Sequence, residues 1–429
     1  MNLDELARDA AEALRHSVER AVPDQPRLAR ARRRGPAAAV AVALLVTVAL
    51  ASASLWVRAQ APERPSQVVA PMRPSSTAPG QHPGGWRRLK NGPGGLWVDQ
   101  MVWTGTRALV FAGATSDQSK VVGALYDPGR DRWQAIRSGP LDWRVGAAVA
   151  WTGQRLLVWG GAGDVPLDRA GGAYDPATDT WTPIAPGPLQ PGAVMAAAWT
   201  GRELLVWLDA ERGAAYDPRR DAWRRLSAAF PLPQANRTQP VVVWTGREVI
   251  LWGGCDGRVP QCDDGARGDE LSDGAAYDPA SDRWRRLAAS PLAARDQPRG
   301  AWTGRELVVW GGDAPAGGGG AYAAAYDPAT DRWRTLPAGP LSPRSHHIMV
   351  WTGRELLVWG GVASGTGDRF LADGAALDPS TGGWTPLPGA PIRGRDRHVA
   401  VWTGQDLLVW GGCCAGTQLL ADGAAFRPS

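Results

Sequence analysis

Five arginines recur at one spacing. Arg144, Arg237, Arg295, Arg344 and Arg395 each stand seven residues before the tryptophan of a Trp-Thr-Gly triplet. A guanidinium is permanently charged and presents a planar fork of donors, so a ring of five suits bidentate capture of carboxylates. The same fork could instead tie down backbone carbonyls or a nearby Asp and pin the elements around it. Leu96 and Gly192 fill the position at the two remaining triplets. A clamp that the fold required should not be missing twice, which tilts the expectation toward ligand capture. Trp143, beside Arg144, falls outside the tryptophan pattern set out below and is the candidate exposed aromatic.

Catalytic chemistry finds fewer footholds. The histidines are His16, His82, His346, His347 and His398, and His347 and His398 occupy equivalent positions before successive triplets. Packing within a repeat is the expectation there, with a metal pair as the alternative. No Ser–His–Asp order, zinc-ligand spacing or phosphate loop stands out, so no catalytic residue, metal or cofactor is assigned. Cys255 and Cys262 bracket six residues and are expected to staple their loop as a disulfide. Cys413 and Cys414 are adjacent. Neighbouring Cα atoms lie about 3.8 Å apart, short of the usual disulfide range of about 4.4–6.8 Å, so two thiols or a pairing with another loop stay open.

Elements that could position these groups are short and turn-rich. Of 429 residues, 54 are Gly and 36 Pro, which argues against a helical protein. Tryptophan, at 23, outnumbers Tyr (6) and Phe (4) together. With 44% hydrophobic residues, that load excludes disorder. The formal charge of +5 is too weak and scattered to argue for nucleic acid. Four cysteines do not make a disulfide scaffold.

Trp-Thr-Gly occurs seven times, beginning at Trp103, Trp151, Trp199, Trp244, Trp302, Trp351 and Trp402, at steps of 48, 48, 45, 58, 49 and 51 residues. After each triplet comes an apolar run such as Leu356–Gly361, then a variable loop, then a run such as Gly274–Pro279, a tight turn, and a further Trp such as Trp284. Four short antiparallel strands at a period near fifty residues make a propeller blade. The chain is therefore expected to be all-β, a seven-bladed β-propeller over residues 85–429. Twenty tryptophans fall at three repeat positions and read as wedges between blades. The last blade stops at Ser429 after its third strand, and Trp86 belongs to an outer strand with no blade before it. The strand around Trp86 is expected to complete blade seven, leaving no open edge.

The Gly-Gly pair, the later Tyr and the outer Trp stand in an order and spacing that resembles the Kelch repeat family over about residues 85–429. Departures are Ala112-Gly113 and Leu208-Asp209 for Gly-Gly, and Leu377 and Phe426 for the Tyr. The resemblance implies Kelch-type four-stranded blades and a recognition platform. It also implies an acidic or hydroxyl-rich ligand for the arginine ring, because similar arginines in the Kelch adaptors of ubiquitin ligases grip acidic peptides.

In such a blade the Thr-Gly turn and the Asp-Pro turn share one plain face. The other face carries the second-to-third loops and the blade-to-blade loops, which vary from the short Asp209–Arg212 to the long segment 255–273. Binding is expected there. Residues 36–57 carry no charge and follow Arg30, Arg32, Arg33 and Arg34. They read as one transmembrane helix, a signal anchor with a cytoplasmic N-terminus. A signal peptide cleaved after Ala53 is the alternative. Residues 1–35 read as an amphipathic, basic segment, either a dock for a cytoplasmic partner or a leader that orients the anchor. Residues 58–84 read as a Pro-rich linker. An excess of Ala, Arg, Gly and Pro suggests a GC-rich bacterial genome. The expected function is a membrane-anchored extracellular propeller that binds a protein, peptide or envelope glycan. The alternatives are a transmembrane sensor signalling through residues 1–35 and a carbohydrate-active enzyme.

Overall fold

Seven four-stranded antiparallel sheets follow one another in the computed structural model. It describes residues 84–429 apart from 95, 115–120, 143, 163–169, 227–228, 234–236, 257–269, 314–321, 365–368 and 414–418. The expected cytoplasmic segment 1–35, the span 36–57 and the linker as far as residue 83 lie outside the described residues. Blade one runs Leu96–Trp103, Ala108–Ala114, Val121–Asp127 and Arg132–Ala135, and the pattern repeats. Blade seven takes Val399–Trp402, Leu407–Trp410 and Gly423–Arg427 from the end of the sequence and its outer strand, Gly85–Arg88, from the front. The register of that closure is Trp86 opposite Phe426 and Arg88 opposite Ala424.

Each blade joins its first and second strands by the same turn. The threonine N–H and Oγ1 both donate to the carbonyl three residues on, as in Thr245 to Glu248 at 3.0 Å and Thr352 to Glu355 at 3.0 Å. The following glycine holds φ between 88 and 101° at all seven turns, a region L-residues avoid. The loop is thereby closed by its own residues, and all seven turns look alike.

The core lies between blades. Its seven clusters of buried side chains each straddle one pair of neighbours, including blade seven against blade one through Trp410, Leu408, Met101 and Trp103. The second-strand tryptophan of one blade meets the outer tryptophan of the next. Trp159 and Trp223 lie 5.1 Å apart, Trp252 and Trp333 5.8 Å, and Trp410 and Trp133 4.7 Å. Trp86 meets Trp359 at 5.7 Å in the same way. Such tilted pairs add roughly 0.5–1.5 kcal/mol beyond the area they bury.

A second inter-blade device was not evident as a unit in the sequence. In five blades the repeat tyrosine donates to an aspartate five residues on, at 2.6–2.8 Å. That aspartate adopts a left-handed φ of 46–54°. Four of these carboxylates, Asp131, Asp179, Asp221 and Asp331, also accept a backbone N–H from the preceding blade, from Lys90, Arg137, Ala185 and Ala288. The carbonyls of those same four residues accept the indole N–H of the outer tryptophans Trp133, Trp181, Trp223 and Trp333. These four residues are thus each gripped at both N–H and C=O by the next blade. Burial, reinforced by the aspartate bond, pushes the hydroxyls of Tyr174, Tyr216, Tyr277 and Tyr326 above the usual tyrosine range. In blade six Leu377 replaces the tyrosine, Gly382 the aspartate and Pro337, which has no N–H, the donor; only the bond from Trp384 to the Pro337 carbonyl remains, at 3.0 Å. Blade seven repeats the substitution with Phe426 and Pro388, and Trp86 donates to the Pro388 carbonyl at 2.9 Å.

Candidate functional site at the variable face

The innermost strands run from the variable face down to the Thr-Gly turns, and neighbouring innermost strands pack around a common axis. Each of the five recurrent arginines stands just above one of these strands or at its entry, on the variable face. All five are buried, at 0–2% exposure. Arg344 shows what they do. Its Nε donates to the Ser342 carbonyl at 3.0 Å, Nη1 to the Gly360 carbonyl at 3.2 Å, and Nη1 and Nη2 to the Asp373 carboxylate at 2.9 and 3.0 Å. The others follow the same plan. Nη1 of Arg144, Arg237, Arg295 and Arg395 donates to the carbonyl sixteen residues on, from Gly160, Gly253, Gly311 and Gly411. It donates as well to the carbonyl that precedes the third strand, of Ala170, Asp273, Tyr322 and Asp422 respectively. Arg237 and Arg395 add ion pairs to Asp273 at 2.6 Å and Asp422 at 2.8 Å. Burial lowers the affinity of Arg144, Arg237 and Arg295 for their protons, as expected for charges held out of water.

These contacts are those of the clamp, the second of the two roles open to the arginines. The carbonyl each guanidinium seeks belongs to the first glycine of Gly-Gly, which turns the chain with φ of 67–74°. Blades one and three lack the arginine, and they are also the blades where Ala112-Gly113 and Leu208-Asp209 replace Gly-Gly. Arginine and Gly-Gly therefore form one device, present or absent together. Its loss from two blades reflects the loss of its partner there and gives no reason to prefer a ligand. Neighbouring clamps are joined too, because Gly312 and Gly361, each the second glycine of a pair, donate N–H to the carbonyls of Arg344 and Arg395 in the next blade.

Above the clamps the chain forms small ribbons. Arg237–Thr238 pairs with Cys255–Asp256, and Arg344–Ser345 with Val362–Ala363. Asp296 bridges Asp313, and Asp396 bridges Cys413. Their side chains close local contacts. Cys413 Sγ donates to Asp396 Oδ1 at 3.0 Å, Thr238 Oγ1 lies 2.9 Å from Cys255 Sγ, and Ser364 Oγ donates to Asp313 Oδ1. Two residues after each arginine a left-handed residue turns the chain: Gln239, Gln297, His346 and Arg397 with φ of 50–54°, and Gly146 with 65°. Cys255 is disulfide-bonded, and its expected partner Cys262 lies outside the described residues, as do Cys414, Trp143 and much of the second-to-third loops. The blade-three loop is described. Asp209 accepts the N–H groups of Glu211 and Arg212 at 2.9 and 2.8 Å, which fixes a four-residue turn.

His347 and His398 are packing residues. Both are buried, at 0 and 1% exposure. Each ring stands edge-on to the second-strand tryptophan of the preceding blade, Trp310 at 4.9 Å and Trp359 at 5.2 Å. Each also lies over the first glycine of the preceding Gly-Gly pair, Gly311 and Gly360, where a Cβ would fall within 2.7 Å of the ring. Among the described residues no group of three His, Cys, Asp or Glu is placed to hold a metal. Burial, together with the charges of Arg299 and Arg344, drives the His347 pKa well below its ordinary value. The folded protein therefore resists protonating a ring that the unfolded chain protonates near pH 6.5. The contribution is whole above about pH 6.5 and drains as pH falls toward the folded value, by at most roughly 1.4 kcal/mol per unit. The melting temperature is expected to drop on acidification from about pH 6.5 to 5, above the range where the carboxylates titrate. His347→Phe should flatten that slope, and an unchanged slope would remove His347 as its source.

Sequence reasoning did not single out Arg299, which lies within the innermost strand Arg299–Trp302. Its signal was a charge where other blades carry an uncharged residue. No protein-family model matches the sequence, and no match is found among curated proteins.

Proposed function

We propose that this chain is a Kelch-type recognition propeller, anchored to a membrane by residues 36–57 and binding a protein, peptide or envelope glycan with its variable face. The observation that carries the reading is the contrast between its two faces. Seven near-identical self-bonded turns make one face, whereas loops of unequal length rise from the clamped end of the other. Rigid support under variable loops is how recognition surfaces are built, and propellers commonly serve as protein-binding scaffolds. The chain enters the propeller at Gly84, beside Ser429, on the plain face.

Two experiments test this reading. Protease added to intact cells should remove the propeller and leave a small membrane-bound stub; recovery of the propeller free in the medium would point to cleavage after Ala53 instead. A glycan array and a crosslinking screen with the full-length chain should return ligands whose crosslinks map to the second-to-third loops. Crosslinks confined to the Thr-Gly turns would reject the variable face as the binding surface.

A further inference from the structure

Three residues before the Trp-Thr-Gly tryptophan, six blades hold a buried, uncharged side chain: Gln100, Ala148, Ala196, Val241, Ile348 and Val399. Blade five holds Arg299, which keeps part of its surface open where its six counterparts are buried. Innermost strands are flanked by one another and backed by the second strands. Gly300 faces Val241 of blade four and Ala301 packs with blade six, so Arg299 projects toward blade six at the variable-face end of its strand.

The guanidinium is poorly satisfied compared with the five clamps. Its Nε donates to the His347 carbonyl of blade six at 2.9 Å. No other side-chain hydrogen bond and no ion pair of Arg299 occurs among the described residues. Burial lowers its pKa to about 10, and Asp296 is the group that opposes the shift. A guanidinium taken out of bulk water without a partner anion is costly, and the cost is recovered when an oxyanion pairs with it. With Nε committed, Nη1 and Nη2 remain as two parallel donors, the geometry that matches the two oxygens of a carboxylate, sulfate or phosphate.

We propose that Arg299 anchors an anion site between the innermost strands of blades five and six, at their variable-face end, which takes the oxyanion group of a ligand entering from the variable face. The site is separate from the loops above it. Inorganic probes report on Arg299 whether or not those loops recognise a partner.

The test uses the full-length chain at pH 7.5, where His347 is neutral in both folded and unfolded states. Melting is followed in chloride and, at matched ionic strength, in acetate, sulfate or phosphate. The wild type is expected to gain a saturable rise in melting temperature with at least one oxyanion, and the comparison of acetate with sulfate and phosphate separates a carboxylate site from a tetrahedral one. Arg299→Val, which installs the residue blade four carries at this position, should lose that rise. It should melt at or above the wild type in chloride, because a desolvated charge is gone. Arg299→Lys keeps the charge but loses the fork, so calorimetric titration with the responding anion should give at least tenfold weaker binding, and this arm stands if the valine variant does not fold. No response of the wild type to any oxyanion would overturn the proposal, as would an equal response in wild type and variants. Arg299→Val melting lower, with no oxyanion response in the wild type, would make Arg299 a strut between blades five and six.

Discussion

Removal of residues 85–95 is expected to unfold the propeller, or to leave it melting far below the intact chain. The segment supplies the outer strand of blade seven, so its loss exposes the backbone of Gly423–Arg427 as an unpaired edge. It also removes Trp86 from its contacts with Trp359 and Phe426, together with the buried Leu89 that helps join blade seven to blade one. Deleting a large aromatic from a core costs about 3–5 kcal/mol and a buried leucine about 2–5 kcal/mol. The sum rivals the entire stability of a typical domain, about 5–15 kcal/mol. Thermal melting and sedimentation of the truncated chain should show lost cooperativity or association through the open edge. A truncated chain that melts at the temperature of the intact one would mean that the ring does not depend on this closure.

Arg344→Ala is expected to destabilise the folded state by about 2–4 kcal/mol. Asp373, its charge partner, is 56% exposed at the side chain and regains water when the guanidinium goes. The ion pair therefore contributes little of the loss. The carbonyl of Gly360 has no such recourse, because the arginine reaches it inside the blade, while that of Ser342 is only partly shielded. Arg344→Lys should recover only a part, since one ammonium cannot span three acceptors. Chemical denaturation gives the size of the effect, and titration of a variable-face ligand against the folded fraction should give unchanged affinity. A variant with wild-type stability and weakened binding would reverse the assignment and make the arginine a ligand contact.

The repeat was legible because its signals are local. A Trp-Thr-Gly turn, an apolar run and a Gly-Gly pair lie within about fifteen residues of one another, and each has one conformational meaning. The role of Arg344 was not legible in the same way, because its partners lie 16 and 29 residues away and only the folded blade brings them together. A signal was nonetheless present: the arginine and Gly-Gly are missing from the same two blades. The grip between blades left a similar trace, since the tyrosine, the aspartate five residues on and the N–H donor give way together to Leu377, Gly382 and Pro337. Both devices show in the alignment of the chain with itself, where what varies together is more informative than what recurs. Arg299 left a fainter trace, a single charge in a strand otherwise read as hydrophobic. Its meaning depends on the neighbouring blade it faces, where it meets the His347 carbonyl, and that sequence does not display.

The most direct measurement is ligand capture by a full-length variant in which residues 257–269, the longest variable-face insertion, are replaced by a short Gly-Ser link, compared with Arg247→Ala on the plain face. Arg247→Ala lies away from the clamps and should melt with the wild type, whereas the shortened chain loses Cys262, the expected disulfide partner of Cys255, so capture by both is compared at a temperature where each is folded. If recognition resides in the variable face, shortening the loop should abolish or alter capture in the glycan array and crosslinking screen, while Arg247→Ala captures as the wild type does. Unaltered capture by the shortened chain together with loss in Arg247→Ala would contradict it and move the binding surface to the Thr-Gly face.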